Sequence, residues 1–164
     1  MKREGPEPAE PTLRLVGEGD MRRLWEWSND PDVRQQSFDQ SPIEWADHVS
    51  WFTARQQDPQ SSMYVIEFPL GVPVGVVRFQ RDGESSAIVS IAIDAALRGG
   101  GLGSKAIRRA CAHMRDEVGV SRIYAFIKPN NAPSIAAFGR AGFKSTTARS
   151  HEGAVALEWE DRRE

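Results

Sequence analysis

The run Arg98-Gly99-Gly100-Gly101-Leu102-Gly103 constrains this chain more than any other stretch, because it joins a strand-like segment directly to a helical one. Ala87–Ile93 before it has the β-branched character of a strand. Leu102, Ala106, Ala110, Met114 and Val118 after it share one helical stripe, which Gly119 closes. The first amides of a helix lack intrahelical acceptors and carry the positive end of its dipole, so they suit an anion. Glycines before them let the backbone come close to a phosphate, and Arg98 and Lys105 place charge at the two ends of the loop. A Walker A loop is excluded by the spacing, and a dinucleotide fingerprint fits poorly because the preceding strands read as antiparallel. A glycine-rich turn without a ligand is the bland alternative.

The rest of the pattern frames this loop. Leu13–Val16 reads as a short strand. Asp20 is an expected N-cap for a helix with Met21, Leu24, Trp25 and Trp27, and Asn29-Asp30-Pro31 reads as a break. Ser41-Pro42-Ile43-Glu44 predicts a capping box opening a helix that carries Trp45, His48, Val49 and Phe52. Gln56–Ser62 reads as loop. Met63–Phe68, Val74–Gln80 and Ala87–Ile93, separated by turn sequences, predict three antiparallel strands. Arg122–Ile127 predicts a strand, and Pro133–Ala141 a short helix ending at Gly142. Phe143–Ala148 and Ala154–Trp159 predict a hairpin about Ser150–Gly153. The order βααβββαβαββ is α+β: one mixed, mostly antiparallel sheet flanked by about four helices.

At 164 residues the chain is the size of one domain, expected over 12–164 behind a charged, Pro-rich lead-in at 1–11. An apolar content of 40% supports a packed core, and a net charge of −2 argues against a nucleic-acid binder. No run is long enough for a membrane span, and no leader is evident, so a cytoplasmic location is expected. Cys111 has no partner for a disulfide or a CxxC zinc pair, and no metal is expected.

Two motifs in series identify a family. Val89 to Asp94 followed by Arg98-Gly99-Gly100-Gly101-Leu102-Gly103-Ser104 resembles the acetyl-CoA signature of the GNAT acetyltransferases. Asn131-Ala132-Pro133-Ser134-Ile135-Ala136-Ala137-Phe138-Gly139-Arg140-Ala141-Gly142-Phe143 is similar to their second motif. The resemblance implies the GNAT fold over most of 12–160 and N-acetylation of an amine by direct transfer from acetyl-CoA. It implies that the amides of Gly99, Gly100, Gly101, Leu102, Gly103 and Ser104 take the pyrophosphate, with Arg98 supporting its charge. Ile91 and Ile93 would lie along the pantetheine arm on a strand that splays from its neighbour. Asn131, Ser134 and Phe138 would complete the cofactor site.

Many members carry a tyrosine acid where this chain has Phe138, so the proton for the leaving thiolate must come from elsewhere, with Ser134 or water as candidates. Two candidates stand for the base: His48 on the capped helix, which could equally pack on tryptophans, and Glu67 with a water relay, which could equally be an exposed strand residue. The stretch from Trp27-Ser28-Asn29-Asp30-Pro31-Asp32-Val33-Arg34 to His48-Val49-Ser50-Trp51-Phe52 is similar to acetyltransferases of nucleotide-linked amino sugars, as in the pseudaminic acid pathway. That implies Trp27, Asn29, Arg34, Trp45 and His48 at the acceptor. Aminoglycosides, polyamines and ribosomal-protein N-termini are the alternative acceptors, and a non-catalytic acyl-CoA-binding module is the reading from another class. The sequence does not fix an oligomeric state; the resemblance, whose members are commonly dimers, leaves a homodimer open, and the final hairpin could pair across a two-fold.

Overall fold

A computed structural model describes residues 9–161. Most of the expected lead-in and the last three residues lie outside the described residues. Seven strands form one sheet in the order β1-β2-β3-β4-β5-β7-β6. These are β1 (Thr12–Leu15), β2 (Ser61–Glu67), β3 (Pro73–Arg81), β4 (Ser86–Ile93), β5 (Arg122–Ile127), β6 (Phe143–Ser145) and β7 (Val155–Trp159). The helices are α1 (Met21–Ser28), α2 (Pro31–Gln36), α3 (Trp45–Gln57), α4 (Leu102–His113) and α5 (Ala132–Arg140). The α+β class and the three-strand meander agree with the sequence pattern.

Alternation of side chains along β3 assigns the two faces. Val77 and Phe79 join Ala106, Ile107, Ala110 and Met114 in the larger core, beneath α4 and α5. Val76 joins Leu24, Trp27, Phe52 and Met63 in a smaller core, beneath α1 and α3.

Several local expectations are corrected. Asp20 precedes α1 but does not cap it with its side chain; its carboxylate accepts from the Gly17 amide at 2.9 Å and from Arg14 at 2.8 Å. The break at Asn29-Asp30-Pro31 is present, since α1 ends at Ser28, but a further short helix follows it: Asp30 accepts from the amides of Asp32 and Val33 and opens α2. The Ser41 capping box does not form. Glu44 is the N-cap, without a side-chain bond, and α3 begins at Trp45. The expected final hairpin forms with shorter strands, and the turn near Ser150–Gly153 is present within a wider loop, the Ala154 amide donating to the His151 carbonyl at 3.1 Å.

The feature that makes a site is a failure of pairing. β4 and β5 are parallel neighbours only at Ser86–Ile88 against Arg122–Tyr124. Beyond that they diverge, although β4 continues to Ile93 and β5 to Ile127. The unpaired edge of β4 and that of β5 therefore bound a gap in the middle of the sheet.

Candidate active site

A cleft of about 730 Å3 runs through this gap from one face of the sheet to the other. On the α4 side Val89, Ile91, Ile93 and Ile107 wall it; on the opposite side Val76, Arg78, Ser90 and Ala92 do. The α2 segment from Asp32 to Phe38 closes one flank, and α5 the other.

The glycine loop sits at the mouth on the α4 side. Gly101 is the N-cap of α4, with φ +81° and no side-chain cap, so the leading amides of the helix keep their donors free of a protein side chain. A Cβ at Gly99, Gly100 or Gly101 would project into open space, leaving the backbone as the surface presented there. Ser104 Oγ donates to the Gly101 carbonyl at 3.0 Å and holds the turn closed. Free amides, an unscreened dipole and exposed backbone form a cradle that fits a diphosphate. The free edge of β4 suits an extended, amide-bearing arm, as an added strand would use it.

Of the residues expected at the cofactor, Ile91, Ile93, Gly99, Gly101, Gly103 and Ser104 line the cleft, as do Asn131, Ser134 and Phe138; Gly100 and Leu102 belong to the loop outside the wall. Two have additional employment. Asn131 caps α5, its carbonyl oxygen accepting from the Ser134 amide at 3.3 Å. Phe138 is buried edge-on to Phe143, 5.0 Å between ring centroids. Arg98 also lines the cleft, and its guanidinium lies 3.3 Å from both Asp30 and Asp32 and donates to the Ile93 carbonyl at 3.0 Å. It straps the start of α2 to the end of β4, and its charge is already met by two carboxylates.

The acceptor-side expectations fare worse, because Trp27, Asn29 and His48 are taken up inside the fold and Trp45, although exposed, packs on a neighbouring helix. Trp27 is buried and donates to Asp94 at 3.3 Å. Asn29 exchanges two hydrogen bonds with the Ile43 backbone, and Trp45 packs edge-on to Trp25 at 5.2 Å. His48 is 2% exposed, and its Nε2 lies 2.8 Å from the Met21 carbonyl. A carbonyl only accepts, so Nε2 carries the proton, and burial lowers the pKa of this imidazole. His48 thus pins α3 to α1 and lies outside the cleft. Glu67 pairs with Arg14 at 3.3 Å, away from the cleft as well. Neither is placed to act as the base. Arg34 does line the cleft, but it spends its donors on the carbonyls of Ser28, Asp39 and Ser41 and on Ser37.

Three wall residues were missed by the sequence reading. Arg78 stacks on Trp51, its guanidinium carbon 5.1 Å from the ring centroid, with no carboxylate in ion-pair reach among the described residues. Burial, then the nearby positive charges of Arg55 and Arg34, push its pKa down to about 10. Ser90 lies directly across the ladder from it. Gln36 carries a buried side-chain oxygen with no protein partner. Helix or strand position alone marks none of these, because the cleft is made by distant elements.

Fold and site together define a coenzyme A-dependent acyltransferase. An acetyltransferase (GNAT) domain model matches residues 12–144, and the chain belongs to that family. It is 29% identical over 138 residues to "Putative phosphinothricin acetyltransferase YwnH" of Bacillus subtilis (strain 168), covering 80% of this chain and 83% of the relative. Among solved structures it is similar to AAC(6')-Ib bound to paromomycin and acetyl-CoA, with a TM-score of 0.79 and 20% identity, over 92% of this chain and 93% of that one. It is equally similar to spermidine N-acetyltransferase of Vibrio cholerae bound to CoA and spermine, with a TM-score of 0.79 and 18% identity, over 92% and 94%. The protein is an acetyl-CoA-dependent N-acetyltransferase. Among the described residues no helix is long and apolar enough to cross a membrane.

Proposed function

We propose that the chain acetylates the primary amine of a small acceptor that enters beside α2, opposite the glycine loop, and that this acceptor is a nucleotide-linked amino sugar. The observation that carries the small-molecule part is the cleft itself: it passes through the sheet, with a diphosphate cradle at one mouth and a walled chamber at the other. When bound, acetyl-CoA supplies the activated acetyl thioester. This chain's contribution is to hold that thioester along the edge of β4 and to bring a neutral amine to it from the other side, which is catalysis chiefly by positioning.

Proton handling falls to few groups. Ser37 and Ser104 hydroxyls are spent on backbone carbonyls, which leaves Ser28, Ser90 and Ser134 as wall hydroxyls, of which Ser134 stands at the start of α5. Ser134 is the chain's own candidate to hand a proton toward the departing sulfur. The one carboxylate in the wall, Asp32, is held by Arg98, so the amine proton leaves through water.

Stacking of a sugar on Trp27 is not available, because that ring is buried and bonded to Asp94, while Trp45 packs on Trp25 of the neighbouring helix and stays part exposed. Support for a nucleotide sugar comes instead from the similarity of the Trp27–Phe52 stretch and from the positive wall. A phosphinothricin-like amino acid is the second reading, favoured by the Bacillus subtilis relative. Thiol release from acetyl-CoA against amino nucleotide sugars, phosphinothricin, aminoglycosides, polyamines and N-terminal peptides tests both. Turnover confined to peptides or polyamines overturns the proposal.

A further inference from the structure

We infer that Arg78 is the acceptor-selecting residue of this cleft and that the acceptor carries, besides its amine, an anionic carboxylate or phosphorus-oxyacid group that Arg78 binds. The inference rests on the small-molecule reading above and deepens it.

An arginine without a carboxylate is costly to place in a half-buried wall, where water no longer solvates its charge fully. Arg78 is such a residue. It projects from β3 toward α3, rests on the Trp51 ring and faces Ser90 across the ladder. Stacking on Trp51 fixes the plane of the guanidinium and satisfies its face, while its edge, where the N–H donors lie, is left for a ligand. That edge presents the fork that matches a carboxylate or phosphate.

The surroundings point the same way. Arg34 is held by carbonyls and hydroxyls, which order it without cancelling its charge. The one carboxylate in the cleft wall, Asp32, is already paired with Arg98. The acceptor half of the cleft is therefore net positive, the wrong sign for a polyamine or an aminoglycoside. Room also exists. A second hollow of about 190 Å3, between Trp51, Arg55 and Gln80, shares Arg78 and Ser90 with the main cleft, so an anion held at Arg78 leaves space for whatever it is attached to.

Two measurements test this. In the first, thiol release is followed for wild type, Arg78→Gln and Arg78→Lys with phosphinothricin, an amino nucleotide sugar, and amines matched to each but lacking the anion. Arg78→Gln is expected to raise KM for the anionic acceptor by about tenfold or more, with KM for acetyl-CoA unchanged. Arg78→Lys recovers part of the loss, since it keeps the charge without the fork. Which anionic amine responds separates a carboxylate or phosphinate source from a diphosphate one. Equal wild-type use of matched amines with and without the anion, or an unmoved KM in Arg78→Gln, overturns the inference and leaves the small-acceptor reading standing. Preference for peptides overturns that reading instead.

In the second, inorganic phosphate is titrated into the CoA-loaded protein by calorimetry. Wild type is expected to bind it and Arg78→Gln, checked for an unchanged melting temperature, to bind it at least about tenfold more weakly. Absence of binding to wild type, or equal binding to both, overturns the inference without any acceptor having been found.

Discussion

Two single residues divide the chemistry of this chain into what its loop does and what its helices do. At Gly101 the backbone has a positive φ and the space beyond is open. Gly101→Glu therefore meets no steric wall; it costs about 1–2 kcal/mol for the left-handed backbone and sets a carboxylate where a diphosphate belongs. Loss of acetyl-CoA binding by calorimetry, in a protein that still melts cooperatively, is the expected result; unchanged affinity would remove the loop from the cofactor site. His48 is the contrasting case. Burial holds its folded pKa below the ordinary 6.5, so the folded imidazole refuses a proton that the unfolded chain accepts. Stability from its neutral form is full above about pH 6.5 and falls as the pH drops through that value toward the folded one. His48→Gln should cost about 1–3 kcal/mol at pH 7.5 and narrow that deficit at pH 5.5, in urea melts, while leaving the pH–rate profile in place. A deficit of the same size at both pH values would mean the imidazole is not buried neutral. The loop was legible in the sequence because glycine identity is set by local backbone need. His48 and Trp27 were not, because which face of a helix turns inward is decided by elements far away in the chain.

Among the elements, β3 and β4 matter most, since the free edge of β4 is one bank of the cleft. Gly75 in β3 lets them approach: a Cβ there would lie 2.5 Å from the Ala92 carbonyl oxygen and 2.9 Å from the Ile93 side chain. The first of these is backbone of β4 and cannot rotate away. Gly75→Ala should push the Ala92–Ile93 end of β4 out of register, at a cost of about 1–3 kcal/mol, and weaken acetyl-CoA binding without touching the glycine loop. Equilibrium denaturation and calorimetry measure the two effects; full stability with full affinity would show that the edge adapts freely. The meander itself was readable from alternating apolar residues and turn sequences. α2 was not: at six residues it has too little periodicity to register, and Pro31, which the sequence offers as a break, is the first residue of a new helix once Asp30 supplies its cap. The ion pairs of Arg98 were illegible for the same reason, since the carboxylates it binds lie 66 and 68 residues away.

At the scale of the molecule, the sheet is two halves, β1–β4 and β5–β7, hinged on three residue pairs at Ser86–Ile88 and Arg122–Tyr124. Around this seam, α4 and α5 bridge the halves on one face, while the α1–α3 face is bridged less completely. A molecule lying in the gap touches both banks, so its binding energy becomes coupling between the halves. At a hundredfold excess over Kd, a ligand that binds only the folded state adds about 2.7 kcal/mol, which for a chain of this size is a rise in Tm of about 5–10 °C. The location of the effect discriminates further. Coenzyme A should slow amide hydrogen exchange at residues 89–93 and 125–127, where the two strands lack each other, and at the start of α4. It should change little in β1 and β6 at the sheet margins. Protection spread evenly over the sheet would mean that the ligand acts only by mass action. Protection of the loop without residues 89–93 would mean that the diphosphate docks but the arm does not run along β4, and the route from cradle to acceptor chamber would have to be drawn elsewhere.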